Sequence, residues 1–545
     1  MPGLLSWFRR EWEPPAPETV WGDRPSLYEH IRRHFDPGRP GLLAGGEPLP
    51  DEAGRDSEIH WVPGGMDGSF GHHFGGGADS DTAGEGFAAL RECLARADPA
   101  RFRHLYSLIA EENALDFVDP LLEKVRADNS IHAGRLRVLA HWLATQAPDR
   151  EPVKLGVALL GLFPGNEDRD LFMTLGRHEE LTLYVAVALA SALEKPEEDL
   201  WELAKNVSGW GRIQAVERLA ETRDPRIRRW LLVEGYRNSI MIEYTACLCA
   251  RAGNLKARLL AKEPEDEVLR AAGDLIQALA EGGPAEDMED YEDGAAVTVR
   301  YLELLRHRAG TLEQLLAVDA VARFLDDEDA DWAAREECGW TPRLRQRLRK
   351  ACEEILSRPE WRDLVQQDLG AEDEHRFFVA ARAARALGME VWDRYYERLK
   401  AGDACWFHVM QTDDPDRIDC VLAIARERID LEAIATGPDD LLGLGPGHVP
   451  HNQLDFILQD LYRFPGRGWD FIRAGLRSPV VRNRNMALSA LASWGRENWV
   501  PETEMALRRA LREEPKPDVR GRIEKVLAGQ ELEPPGVDDE SEDEL

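Results

Sequence analysis

A chain of 545 residues is too long for one compact core, and its 43% hydrophobic content is enough to fold most of it. The formal charge of −33 repels a phosphate backbone, so nucleic-acid binding is disfavoured unless a local basic strip exists. Seven cysteines with no C-x-x-C spacing argue for buried free thiols in a reducing compartment. No secretory signal opens the chain and no apolar stretch is long enough for a membrane span, so a cytoplasmic protein is expected.

Residues 1–35 read as a helical prelude. Ser26 is the expected N-cap, with Glu29 three residues on in a capping-box pattern, and Leu27, Ile31 and Phe35 then share one face. From 36 to 85 the texture becomes irregular and rich in Gly, Pro and His. Glycine at seven of the fourteen positions of Gly64–Gly77 predicts neither helix nor strand there. The apolar residues Trp61, Met66, Phe70 and Phe74 are expected to pin this segment onto the first helical layers. It would then present Asp67, His72 and His73 to a partner, so the candidate partner-binding set is Trp61, Asp67, Phe70, His72, His73 and Phe74.

Helical periodicity starts near Gly86. Five similar phrases open at Val157, Ala186, Ala215, Thr245 and Asp274, at intervals of 29, 29, 30 and 29 residues. A fixed period of this size marks stacked units that bury their apolar stripes only against one another. Regular repeats are expected over 86–283, an acidic loop over 284–295, less regular helices over 296–529 and a disordered acidic tail over 530–545. Ala188, Leu189, Leu219, Leu248 and Leu279 are expected between layers, and Trp201, Trp210 and Trp230 with them. Glu286–Gly294 and Val537–Leu545, acidic and poor in apolar residues, are expected to be mobile.

Two stretches carry a resemblance. Asp224-Pro225 and Ser478-Pro479 stand where a first helix turn begins, and phrases such as MALSALASWG (Met486–Gly495) close a unit. Asp224–Glu281 and Ser478–Leu527 thereby resemble short HEAT repeats. The resemblance implies an all-α architecture, an α-solenoid of stacked antiparallel helix pairs. Proteins of this kind serve mostly as scaffolds, adaptors and inhibitors; a minority resemble DNA glycosylases or pigment lyases, whose motifs have no match here.

Candidate chemistry is sparse. His30 and His34 have the i, i+4 spacing that lets two imidazoles share a metal, and His72-His73 near Asp67 could add ligands, but no H-E-x-x-H completes a set. His448 and His451 among Gly443, Gly445 and Gly447 read as a wide turn leading to an N-cap near Asn452. No P-loop or G-x-S-x-G is present. The expectation is therefore a non-enzymatic protein-binding scaffold or inhibitor with no cofactor, using a concave solenoid face, with a basic partner as in an immunity-type protein. The alternatives are a metal-dependent enzyme or regulator built on the Gly/His loop, and a nucleic-acid-handling HEAT-like protein.

Overall fold

A computed structural model describes residues 12–52, 61–73, 81–308, 310–530 and 532. Among these residues extended backbone pairs once, in a single parallel bridge between Leu441 and Val480; the protein is all-α. No helix of the described residues is long and apolar enough to cross a membrane. The chain divides into two units, one reaching to Val365 and the other starting at Gln366.

The first unit is built on a row of nine helices: α1 (Asp81–Ala95), α2 (Ala114–Ala127), α3 (Arg150–Leu160), α4 (Glu179–Ala192), α5 (Trp210–Glu217), α6 (Glu243–Ala252), α7 (Asp266–Glu281), α8 (Leu312–Asp326) and α9 (Pro342–Leu356). Each packs on the next, with shorter helices between them, and this order of packing fits a solenoid. The five recurrent phrases fall one each in α3 to α7, so the 29–30-residue interval is the step from one layer to the next.

Local chemistry sets where helices begin. The Asp224 carboxylate accepts from the Arg226 amide with Pro225 at the first helical position, and Thr311 forms a capping box with Gln314. Small residues let neighbouring helices close: a Cβ on Gly156 would lie 2.6 Å from the backbone nitrogen of Ala144 on the helix before α3. Ala188, Leu189, Leu219 and Leu279 are buried as expected, and Trp210 with them. Trp201 and Trp230 are half-buried, and their rings meet at 6.4 Å.

Three expectations fail here. Leu248 is only half-buried, because α6 turns inward the faces that carry Cys247 and Cys249 and leaves Leu248 on the side of Arg251. Cys338 and Cys420 are exposed, so the thiols are not uniformly buried. The acidic stretch Glu286–Gly294 is packed rather than loose. Met288 and Tyr291 plug it into the row, Arg251 pairs with Glu286 and Glu292, and Lys256 reaches Asp293 at 2.6 Å. Val537–Leu545 lies outside the described residues.

The second unit repeats the plan with α10 (Trp406–Met410), α11 (Val449–Leu461), α12 (Val481–Trp494) and α13 (Pro517–Leu527), each packed on its successor. The Ser478-Pro479 turn enters α12, with Ser478 Oγ accepting from the Val480 amide at 3.1 Å. Arg484, wholly buried, donates to both Glu514 carboxylate oxygens at 2.8 and 2.9 Å and to the Ser478 and Pro479 carbonyls. Helix α11 begins at Val449 rather than near Asn452, because Pro450 suits its first turn.

Candidate functional site

The N-terminal segment lies across the first unit's row. Ser26 caps its helix through the Glu29 amide at 3.3 Å, as expected, and its hydroxyl donates to the Thr145 carbonyl. Leu27 and Ile31 are fully buried. The paired histidines hold backbone. His30 Nε2 lies 3.2 Å from the Gly46 carbonyl, His34 Nδ1 lies 2.9 Å from the His30 carbonyl, and His178 Nε2 meets the Glu47 carbonyl at 2.8 Å. Among the described residues no three of His, Cys, Asp and Glu converge as a metal site would require.

The glycine-rich stretch forms a helix at Gly65–His73, against the expectation that it could not. Its conformational cost, about 1 kcal/mol per glycine, is real. What offsets it is contact. A Cβ on Gly68 would lie 2.2 Å from the Trp210 ring, and one on Gly64, whose φ is 70°, would lie 2.7 Å from the Glu179 carbonyl. Bare backbone can therefore lie flat on the indole where any side chain would hold it away.

Two of the six candidate partner-binding residues have described side chains, and they part company. Trp61 is 50% exposed, whereas Asp67 is buried against Lys154 at 2.9 Å, so Asp67 cannot present itself to a partner. Phe70, His72 and His73 belong to the helix, but their side chains, like Phe74 as a whole, lie outside the described residues.

Lys154 is the centre of a buried charge cluster. The lone lysine of helix α3, it is 1% exposed and meets Glu180 at 2.8 Å, Asp67 at 2.9 Å and Glu151 at 3.4 Å. Arg150 beside it pairs with Asp51 at 2.9 Å and Glu180 at 3.5 Å. Two of these acids and the adjacent Glu179 cap neighbouring helices, where an anion is favoured at the positive end of the backbone dipole. Glu151 accepts from the Ala114 amide, Glu180 from Gly64, and Glu179 from Gly209 and Gly211.

Burial alone would discharge Lys154, but Glu151, Glu180 and Asp67 outweigh it and raise its pKa well above the ordinary lysine value. Burial likewise opposes ionisation of Glu180, and Lys154 with Arg150 overcomes it, holding that carboxyl down at about 2. For Asp67 and Glu151 burial prevails and the pKa rises. An ammonium saturated by carboxylates is neither a nucleophile nor a base, so this cluster is a latch that fastens the N-terminal segment to the row. Sequence reasoning missed it, although a single lysine inside an apolar helix was the available signal.

The second unit carries an apolar surface that sequence reasoning also missed. Phe407 on α10 and Phe456 on α11 are 45% and 38% exposed, with ring centroids 6.5 Å apart. Val449, also exposed, stands seven residues before Phe456 and so on the same face of α11. Next to Phe407, His408 stacks on Tyr395 at 4.2 Å and its Nδ1 lies 3.0 Å from Arg385 Nη2. Arginine can only donate, so that nitrogen accepts and the ring is neutral; burial and then the Arg385 charge push its pKa down. His448 closes the glycine-rich turn and His451 already belongs to the first turn of α11, their rings 5.6 Å apart.

No protein-family model matches this chain, and no curated protein does. Among solved structures it is similar to an engineered protein known from a crystal structure, at 17% identity over 82% of this chain and 98% of that one, with a TM-score of 0.19. A likeness that slight bears on neither fold nor function.

Proposed function

We propose that the protein is a non-enzymatic scaffold that docks a protein partner on the aromatic surface of α10 and α11. The observation that carries this reading is the contiguous exposure of Phe407 and Phe456, with Val449 beside them. Contiguous apolar side chains left in water mark association surfaces, and aromatic residues supply most of the binding energy in such patches. The charge of −33 favours a basic partner by steering its approach. The resemblance to HEAT repeats supports a scaffold over an enzyme. A metal site in the Gly/His loop loses support because Asp67 is spent on Lys154 and the His30–His34 pair on backbone.

The test is affinity purification from the protein's own cells with the parent and with Phe407→Ser/Phe456→Ser. The parent is expected to retain one defined protein, identified by mass spectrometry, that the double variant loses while its circular dichroism is unchanged. Equal recovery by both would remove the patch as the docking site.

A further inference from the structure

A trough of about 190 Å³ opens over α3 in the first unit, between α2 and α4. Its floor is Ala158 and Gly161, whose small size leaves the space; Leu115 and Val118 form one wall, and Tyr184 and Val187 the other. Helices α2, α3 and α4 run parallel. Ala114, at the start of α2, meets Glu151 at the start of α3, and a Cβ on Gly161, just past α3, would lie 3.0 Å from Ala188 Cα toward the end of α4. Their C-terminal ends therefore share one end of the trough.

Two arginines stand at that end. Arg126 occupies the last turn of α2, is exposed, and makes no ion pair among the described residues. Arg218 follows α5 and donates to the Gln214 carbonyl and amide oxygens at 2.7 and 3.1 Å; its nearest carboxylate is Glu217 at 4.0 Å. Burial lowers its pKa, the mark of a cation short of counter-charge. In a chain with 33 more acids than bases, such under-paired arginines beside an apolar trough are a local reversal of the surface charge.

We propose that this trough binds the carboxyl terminus of a partner polypeptide, with its last side chain, an apolar one, on Ala158 and Gly161 and its terminal carboxylate between Arg126 and Arg218. A 150 Å³ cavity holds benzene, so the volume suits one large apolar side chain. A planar carboxylate matches the guanidinium fork. Asp119, on the α2 side of the trough, disfavours a dianion such as phosphate and offers an acceptor to the peptide's last amide. This site lies wholly in the first unit and does not depend on the aromatic patch of the second.

Fluorescence anisotropy tests it with a labelled Gly/Ser heptapeptide ending in phenylalanine, as free acid and as amide, and with sodium decanoate as competitor. The acid is expected to half-saturate the full-length protein at or below about 1 mM, and the amide to bind about tenfold more weakly or less. Arg218→Gln should cost a similar factor, and Ala158→Phe should abolish binding by filling the trough. Should that variant fail to fold, Val187→Glu, on an exposed wall, must weaken the acid by repulsion. Equal binding of acid and amide, or undiminished binding by the trough variants, would overturn the proposal. Binding of decanoate without the peptide would overturn it too, in favour of a small amphiphile.

Discussion

Two segments outside the repeat pack on the helical row of the first unit, one before it and one within it, and both are fastened to it by ion pairs. In the N-terminal segment the central pairs are dry: Asp51, Asp67, Glu180 and Lys154 have almost no contact with water, while Arg24 and Glu52 pair at its open margin. In the acidic stretch after α7 they are wet, with Glu286 and Glu292 more than half exposed around the Met288–Tyr291 plug. The same kinds of charges thus do opposite work. Where water is excluded, each charge depends on its partner, and the cluster stands or falls as a unit. Where water remains, the apolar plug holds the segment and the charges decorate it.

The sharpest way to break this contrast is Lys154→Met. It strands three buried carboxylates and should cost about 3–5 kcal/mol in urea denaturation; a loss below about 1 kcal/mol would mean that water reaches the cluster. Gly68→Val comes next. Its side chain would enter the Trp210 ring, so the short helix must lift, at about 2 kcal/mol by thermal melting. Arg251→Ala, which removes the hub of the wet pairs, should cost less than about 1 kcal/mol, and less still in high salt. A cost comparable to that of Lys154→Met would erase the distinction.

The smallest effect sharpens the comparison through pH. Asp67 has a raised pKa, so its stabilising contribution is full below its unfolded value near 3.8 and is lost as pH rises through the folded value. Asp67→Asn should therefore gain ground on the parent in melting temperature between acid and neutral pH. If it loses ground instead, the Lys154 attraction, not burial, governs that carboxyl.

The caps and the layer period were legible because they are local: Ser26 reads Glu29, Asp224 precedes Pro225, and the five phrases mark successive helices. The Gly65–His73 helix was not, because what stabilises it is an indole 142 residues after Gly68. Lys154 is not legible locally because, apart from Glu151 and the neighbouring Arg150, its cluster comes from distant turns. Met288 and Tyr291 were hidden by the acids around them, and composition averaged over a segment says nothing about which two side chains point inward. Phe407 and Phe456 sit 49 residues apart and meet only in the folded unit.

The reach of the latch also fixes an order of events during folding. Bonds within the row join residues about one repeat apart: Arg137 to Asp168 spans 31, Arg169 to Asp199 spans 30, and Glu179 to Gly209 spans 30. Those of the N-terminal segment close far larger loops, 99 residues for Arg150 with Asp51, 116 for Gly64 with Glu180 and 138 for Arg177 with Arg39. Short loops close first, and a latch made of groups from α3 and α4 has no receiver until both helices are docked. The segment that precedes the row in the chain is therefore the last to settle, and in pulsed hydrogen exchange the Gly64 amide should gain protection after the interior amides of α3 and α4.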